Sequence, residues 1–222
     1  NMQKLVAGSS TIRKLFEEGI ELAKEVGAEN VYDFSLGNPA APVPKEVKKS
    51  IYDILENRNA NFVHCYMPNA GYPEVREKVA ANLNKKYNSS FTKDDIIMTV
   101  GAAGGINCVL RSLLEPEDEV LCFAPFFGEY NSYVMNFGGN LKVVPADYET
   151  FQLNVEEADK YITERTKAVI INNPNNPSGV VYNKETLIRL QKMLEKAEER
   201  IGHPIYAVSY THLRAHETLR HL

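Results

Sequence analysis

The sequence predicts an α/β protein with three layers, in which helices cover both faces of a mostly parallel sheet. Short apolar segments alternate along the chain with segments whose hydrophobic residues recur at helical spacing, which is typical of strand–helix–strand units. Residues 168–171 read Ala-Val-Ile-Ile, a run with the length and β-branched content of a strand buried on both faces. The chain has 222 residues, of which 44% are hydrophobic and 24% charged, so it can bury one sizeable core.

The first three predicted elements are helices. Hydrophobic residues recur at helical spacing from Ile12 to Val26, with Ser10 or Thr11 as the N-cap and Gly27 at the end. A short helix follows Pro44. A third begins at Pro73, because proline is tolerated at the first helical position. The residues expected to face inward on the second and third helices are Val47, Ile51, Leu55, Val75, Val79 and Leu83.

After Lys93 the predicted strands and helices alternate regularly, which implies right-handed crossovers and a mostly parallel sheet. The predicted strands cover residues 96–100, 120–124, 141–145, 168–171 and, near the end, 204–207. The predicted helices begin at residue 104 and cover residues 128–137, about 155–162 and 184–199.

Composition excludes several classes of function. A net charge of −4 without a basic stripe argues against a nucleic-acid partner, since phosphates need cations to neutralise them. The three cysteines form no CxxC pattern and are odd in number, which fits a reduced cytoplasm. No apolar stretch approaches the roughly 18 residues of a membrane span, so no membrane partner is expected.

A polar turn follows the strand at 168–171 and reads Asn-Asn-Pro-Asn-Asn-Pro-Ser-Gly. A single Asn-Pro is usually a surface turn, but the doubled form is more specific. Ligands of open α/β sheets bind beyond the carboxyl ends of the strands. Asn173, Asn176 and Ser178 are therefore expected where a small molecule would bind.

A second motif, Thr-Val-Gly-Ala-Ala-Gly-Gly at residues 99–105, joins a predicted strand to a helix. The small side chains allow a ligand to approach the backbone closely, and the helix N-terminus offers unpaired N–H groups. A phosphate is therefore the expected ligand. The motif is neither the GxGxxG of dinucleotide folds nor a P-loop, which disfavours a nicotinamide dehydrogenase. A third motif, residues 124–130, places Phe126 and Phe127 just past another strand, where an aromatic face can stack on a flat ring.

These motifs, in this order, resemble the pyridoxal-phosphate-dependent aminotransferases of fold type I, class I/II, from about Val31 to Tyr206. The resemblance implies a truncated large domain of that fold and pyridoxal 5'-phosphate as the cofactor. It assigns the coenzyme's phosphate to a cup formed by Gly101, Ala102 and Ala103, where many relatives carry serine or threonine.

The resemblance assigns further roles to side chains. It implies that Phe127 stacks on the pyridine ring, and Phe126 is expected to pack in the hydrophobic core. It implies that Asn176 donates to the coenzyme's phenolic oxygen and lies at the substrate. Two upstream matches are less specific: Gly37, in Phe-Ser-Leu-Gly-Asn-Pro, where a backbone amide approaches the substrate carboxylate, and Tyr66, which resembles a tyrosine that reaches the coenzyme phosphate of the partner subunit. A homodimer is therefore expected.

The residues that perform the chemistry in the family are not found. A lysine must bind the coenzyme covalently and move a proton, and a carboxylate must keep the pyridine nitrogen protonated. The carboxylate is expected within a few residues of Ala207 and is absent, and the lysine belongs further downstream. No catalytic residue is therefore assigned in this chain, and no metal site is expected, although His212 and His216 stand four apart.

Residues 208–218 instead resemble a translated sequencing adapter. The predicted organisation is an N-terminal arm with the first helix at 1–40, an incomplete coenzyme-binding domain at 41–207 and a non-native tail at 208–222. The expected function of the intact gene is cytoplasmic transamination between an amino acid and a 2-oxo acid, with this fragment inactive. The alternatives are a decarboxylase or carbon–sulfur lyase on the same scaffold, or a coenzyme-sensing domain of a transcription regulator. The last would need a DNA-binding extension, for which the residues before Thr11 leave no room.

Overall fold

The structure is a computed structural model that describes residues 11–32 and 42–211. The chain divides into two compact units, Asn1–Met67 and Pro68–Leu222. Within the described residues, no helix is both long and apolar enough to pass through a bilayer.

The first unit is helical. Its helices are α1 (Thr11–Val26), α2 (Lys45–Asn57) and the single turn α3 (Ala60–Val63), with a 3₁₀ turn at Ala28–Asn30. Gly27 ends α1 in a left-handed conformation with φ of 88°, and Pro44 is the N-cap of α2, as predicted. The expectation that Val47, Ile51 and Leu55 face inward is wrong, because all three are exposed and the one-turn α3 beside α2 is too short to cover them.

The second unit holds the sheet. Its helices are α4 (Pro73–Tyr87), α5 (Gly101–Leu113), α6 (Glu129–Met135), α7 (Val155–Ala158) and α8 (Lys184–Ile201), with 3₁₀ turns at Lys93–Asp95 and Asp159–Tyr161. Its strands are β1 (Glu119–Phe123), β2 (Asn140–Val144), β3 (Thr166–Asn172) and β4 (Tyr206–Tyr210). The four strands are parallel in the order β2-β1-β3-β4. The prediction of a parallel α/β sheet is confirmed.

Helices cover both faces of this sheet, because alternate residues of each buried strand point to opposite sides. On one face, Val120, Cys122, Ala168 and Ile170 form a cluster with residues of α5 and α6, namely Ile106, Leu110, Tyr130 and Val134. On the other face, Leu121, Phe123 and Val169 form a cluster with residues of α7 and α8, namely Val155, Ala158, Leu190, Leu194 and Ala197. The three layers predicted from the sequence are therefore present.

The segment at 96–100 is not a strand, which corrects the prediction. A strand requires a hydrogen-bonded neighbour, and none of the described strands pairs with this segment. Its Met98 N–H donates to Ala70 O at 3.0 Å, while Ile97 and Val100 are 69% and 95% exposed. The apolar, β-branched composition of this segment thus predicted a strand, but no described strand pairs with it.

The other differences concern boundaries. Helix α5 begins at Gly101, three residues earlier than predicted, so the glycine-rich motif is its first turn. Strand β4 begins later than predicted, because Pro204 has no N–H and the Ile205 N–H donates to Glu198 Oε1 at 2.7 Å. The helix predicted near 155–162 is the single turn α7 followed by a 3₁₀ turn.

Candidate active site

The candidate site lies at the edge where the parallel strands end. Strand β1 ends at Phe123 and leads into a loop at 124–128, while β3 ends at Asn172 and leads into a loop at 173–179. Carboxyl ends of parallel strands share one edge of a sheet, which is where such folds bind ligands. The structure therefore brings the loop at 124–128 and the polar turn at 173–179 to a common edge.

A buried amide joins these two loops. The Asn175 Nδ2 group donates to Pro125 O at 3.0 Å and to Ser178 Oγ at 2.8 Å. The backbone of the same residue bonds to Val180 O at 2.8 Å, and its side chain is 3% exposed. Asn175 therefore fixes the loop after β3 against the loop after β1. Asn175 was not predicted as a site residue, although the doubled Asn-Pro pattern contains it.

The polar residues predicted in the loop after β3 fall into two groups. Asn173 Oδ1 accepts from the Tyr182 N–H at 2.9 Å, and Ser178 Oγ accepts from Asn175, so both side chains hold the loop itself. Asn176 differs, because it is exposed and its amide bonds to no other described residue. Its amide group is thus available to a ligand at this edge.

The glycine-rich motif is the N-terminus of α5. The first turn of a helix leaves N–H groups without intrahelical acceptors. Gly101 has φ of 68°, its N–H bonds to Thr99 O at 3.1 Å, and a Cβ at this position would meet no atom within 4 Å. The amides of Ala102 and Ala103 follow on the open helix end. This arrangement suits an anion, since the helix dipole and the amides act together.

Phe127 lies between the core and the open edge. Its ring is half-buried and meets Tyr130 edge to face, with centroids 5.7 Å apart and an interplanar angle of 78°. Phe126 is also half-buried and packs against the same cluster, so burial does not separate the two rings.

Among the residues that the structure describes, two buried side chains beneath this edge carry polar atoms without a hydrogen-bond partner. They are Tyr130, whose Oη is orphaned, and Asn172, whose Oδ1 and Nδ2 are both orphaned. Burial, and next the phenol of Tyr210, raises the pKa of Tyr130. Asn172 follows Ala168 and Ile170 at every second position of β3, so its side chain points to the same buried face. A polar residue at such a position is a signal that the prediction from sequence missed.

Burial also changes the acidity of two other core groups. It raises the pKa of the Cys122 thiol to about 12 and that of the Tyr182 phenol to about 12. Both groups are therefore neutral at pH 7. Within residues 11–32 and 42–211, no cluster of three histidine, cysteine or acidic side chains could hold a metal ion.

The two upstream residues are placed differently. Tyr66 belongs to the first unit, on the segment after α3, and its side chain is fully exposed. Gly37 and its neighbour Asn38 lie outside the described residues.

Comparison with known proteins identifies the family. Residues 28–215 match the profile of aminotransferases of class I and II. The chain belongs to this family. A probable aspartate/prephenate aminotransferase of Aquifex aeolicus is 35% identical over 181 residues, which are 80% of this chain and 44% of that protein. Aromatic-amino-acid aminotransferase 2 of Thermococcus litoralis is 38% identical over 181 residues, with the same two shares.

Solved structures of the aminotransferase family share the fold. The crystal structure of an aminotransferase from Eubacterium rectale superposes with a TM-score of 0.91 at 40% identity, covering 95% of this chain and 53% of that one. The chain thus spans about half the length of the family members that it matches.

Proposed function

We propose that the protein transfers an amino group between an amino acid and a 2-oxo acid, with pyridoxal 5'-phosphate as the carrier. The observation that carries the proposal is the open N-terminus of α5, at Gly101–Ala103, in a chain of the aminotransferase family. The half-buried Phe127 and the exposed Asn176, both past the ends of sheet strands, add to it.

The residues present fit this coenzyme. The amides of Ala102 and Ala103 would bind its phosphate, and the absence of a Cβ at Gly101 leaves room for close approach. The alanines add no hydroxyl groups, so backbone donors would supply most of the phosphate's hydrogen bonds. The ring of Phe127 would stack on the pyridine ring, and Asn176 would donate to the phenolic oxygen. When bound, the coenzyme withdraws electrons from the substrate carbon that bears the amino group.

The substrate assignment rests on the relatives. The matched proteins are named for aspartate, prephenate and aromatic amino acids. We therefore assign the protein to transamination of amino acids and 2-oxo acids, with Gly37 and Asn176 at the substrate. Tyr66, exposed in its own unit, would reach the coenzyme phosphate of the partner subunit in a homodimer. The compartment is the cytoplasm.

We further propose that the 222-residue chain is inactive alone, since it carries neither the lysine that binds the coenzyme nor the carboxylate for the pyridine nitrogen. The test is borohydride reduction of the chain with excess pyridoxal 5'-phosphate, followed by peptide mapping. We expect no lysine labelled in stoichiometric amount and no turnover. A single lysine fully labelled, together with transaminase activity, would contradict the proposal.

The reaction class needs the complete gene. Product analysis with an amino acid and a 2-oxo acid should show a new amino acid and a new 2-oxo acid in equal amounts. Release of carbon dioxide or of a thiol instead would assign the scaffold to decarboxylation or carbon–sulfur cleavage.

A further inference from the structure

The side chain of Arg76 holds two separate segments of the second unit together. Arg76 lies near the start of α4, and its side chain is only 12% exposed. Its Nε group donates to Gly71 O at 3.2 Å, just before the helix. Its Nη1 group donates to Lys93 O at 2.7 Å and reaches Ile96 O at 3.5 Å. The guanidinium group therefore joins the turn before α4 to the segment that leads to the glycine-rich motif.

The same turn also holds the next part of that segment directly. The Met98 N–H donates to Ala70 O at 3.0 Å. Gly71 is buried and has φ of 91°, a left-handed conformation that glycine adopts without strain. A Cβ at Gly71 would lie 2.5 Å from Met98 Cγ and 2.8 Å from Met98 Cβ, closer than real Cβ atoms come. The turn thus packs against Met98 with no space for a side chain.

A short connection links Met98 to the helix end that the proposed function assigns to phosphate. Only Thr99 and Val100 separate Met98 from the first residue of α5. The Thr99 hydroxyl donates to Gly101 O at 3.1 Å, and the Gly101 N–H donates to Thr99 O at 3.1 Å. A Cβ at Gly105 would lie 3.2 Å from Thr99 Oγ1, so the threonine also packs closely on the helix. A displacement of Met98 would therefore move the first turn of α5.

The contacts of Arg76 depend on the shape of its guanidinium group more than on its charge. Its ion-pair partner Asp94 is 72% exposed, with 3.8 Å between Arg76 Nη1 and Asp94 Oδ1, and exposed pairs contribute little. The guanidinium group carries its donors in a fixed fork, so one side chain can reach carbonyls of two segments. A lysine keeps the charge but offers a single point of contact. Exchange of Arg76 for lysine therefore separates positioning from charge.

We propose that Arg76 is a positioning residue for the phosphate-binding turn of α5. It acts on the ligand through the turn at Ala70 and Gly71 and through the segment at 96–98. The inference rests on the proposed function, because the helix end at Gly101–Ala103 is the proposed phosphate site. It adds a residue outside that site whose loss should weaken phosphate binding.

The first test compares the affinities of the chain for pyridoxal 5'-phosphate and for pyridoxal, which differ only in the phosphate. Arg76→Lys and Arg76→Gln should each reduce the preference for the phosphorylated ligand by about fivefold or more, with less than about a twofold change for pyridoxal, because misplaced amides weaken hydrogen bonds to the phosphate. A merely structural role would lower both affinities by the same factor and leave the preference unchanged. Arg200→Gln is the control, since Arg200 is half exposed on α8 and pairs with Asp159, and it should leave the preference unchanged.

The second test uses two glycines with similar backbones and different surroundings. Gly71 and Gly202 have φ of 91° and 79°, so alanine is strained at both positions. An added Cβ would meet Met98 at position 71 and no atom within 4 Å at position 202. Gly71→Ala should therefore lower the phosphate preference as Arg76→Gln does, whereas Gly202→Ala should leave it unchanged.

Inorganic phosphate supplies a readout that needs no coenzyme. In NMR spectra of the unmodified chain, added phosphate should shift the amide signals of Gly101, Ala102 and Ala103. The Arg76→Lys and Gly71→Ala variants should show smaller shifts at the same phosphate concentration, while Gly202→Ala should match the unmodified chain.

A phosphate preference in the unmodified chain that Arg76→Gln and Gly71→Ala retain would overturn the inference and leave the proposed function standing. A preference lost in Arg76→Gln but kept in Arg76→Lys would assign the effect to charge and would also overturn it. If Arg76→Gln does not fold, Arg76→Lys and Gly71→Ala decide the outcome. No phosphate preference in the unmodified chain would contradict the proposed function itself, and the inference would be overturned with it.

Discussion

Asn175 and Asn176 are neighbours in the chain, but their amides face different surroundings. The Asn175 side chain is buried and bridges two loops through Pro125 O and Ser178 Oγ. The Asn176 side chain is exposed at the same edge. The amides and prolines of the sequence predicted a binding loop. They did not show that Asn175 fixes the loop in place, because its hydrogen-bond acceptor Pro125 O lies in the loop after β1.

The first prediction separates these two amides. Asn175→Ala leaves the half-buried Pro125 O without its donor and should lower the free energy of unfolding by about 1–3 kcal/mol. Asn176→Ala is the matched control and should change it by less than about 0.5 kcal/mol, while weakening coenzyme binding. Urea unfolding measures both variants. A larger loss for Asn176→Ala than for Asn175→Ala would reverse the assigned roles.

The second prediction concerns Cys122, whose burial raises the thiol pKa to about 12. An aromatic disulfide reagent at pH 8 should label the exposed Cys65 and Cys108 quickly and Cys122 only after unfolding. An unfolded thiol ionises near pH 8.5, so the unfolded state loses its proton first. The Cys122 contribution to stability is therefore complete below about pH 8.5 and is lost as pH rises toward 12. Rapid labelling of all three thiols in the native chain would contradict the burial of Cys122.

At the scale of elements, the strands show what local sequence could and could not predict. Strands β1, β2 and β3 were predicted within two residues at each end, because each is an apolar run bounded by turn residues. The run at 96–100 has similar composition but no neighbour among the described strands, so most of its side chains stay exposed. Pairing is a long-range property that the composition of one segment does not contain.

The third prediction concerns the start of α8. Asn183 is the N-cap, and its Oδ1 accepts from the Thr186 N–H at 2.8 Å. Asn183→Ala should lower the free energy of unfolding by about 1 kcal/mol, whereas Asn183→Asp should keep the cap. Equal losses in the two variants would contradict the capping role of the Asn183 side chain.

At the scale of the whole molecule, the described sheet has open edges. Strand β4 has only β3 as a neighbour among the described strands, and β2 has only β1. Tyr206 and Ala207 of β4 are exposed. Unpaired strand edges beside exposed apolar side chains favour association between chains.

The fourth prediction is therefore concentration-dependent self-association of the chain. Light scattering should show species larger than a dimer at high concentration. Ala207→Lys should reduce them, because charge on an edge strand opposes pairing. Gln191→Lys adds the same charge on an exposed position of α8 and should have little effect. A monodisperse chain with a sharp cooperative melt at every concentration would contradict the prediction.

The central claim is that the N-terminus of α5 binds the phosphate of the coenzyme. Equilibrium dialysis of the chain against pyridoxal 5'-phosphate and against pyridoxal tests it most directly, because the two ligands differ only in the phosphate. Hydrogen bonds to a charged group contribute about 1.5–3 kcal/mol each, so the phosphorylated ligand should bind at least about tenfold more tightly. Ala103→Ser adds a donor to this helix turn and should widen the difference. Equal affinity for the two ligands would contradict the account.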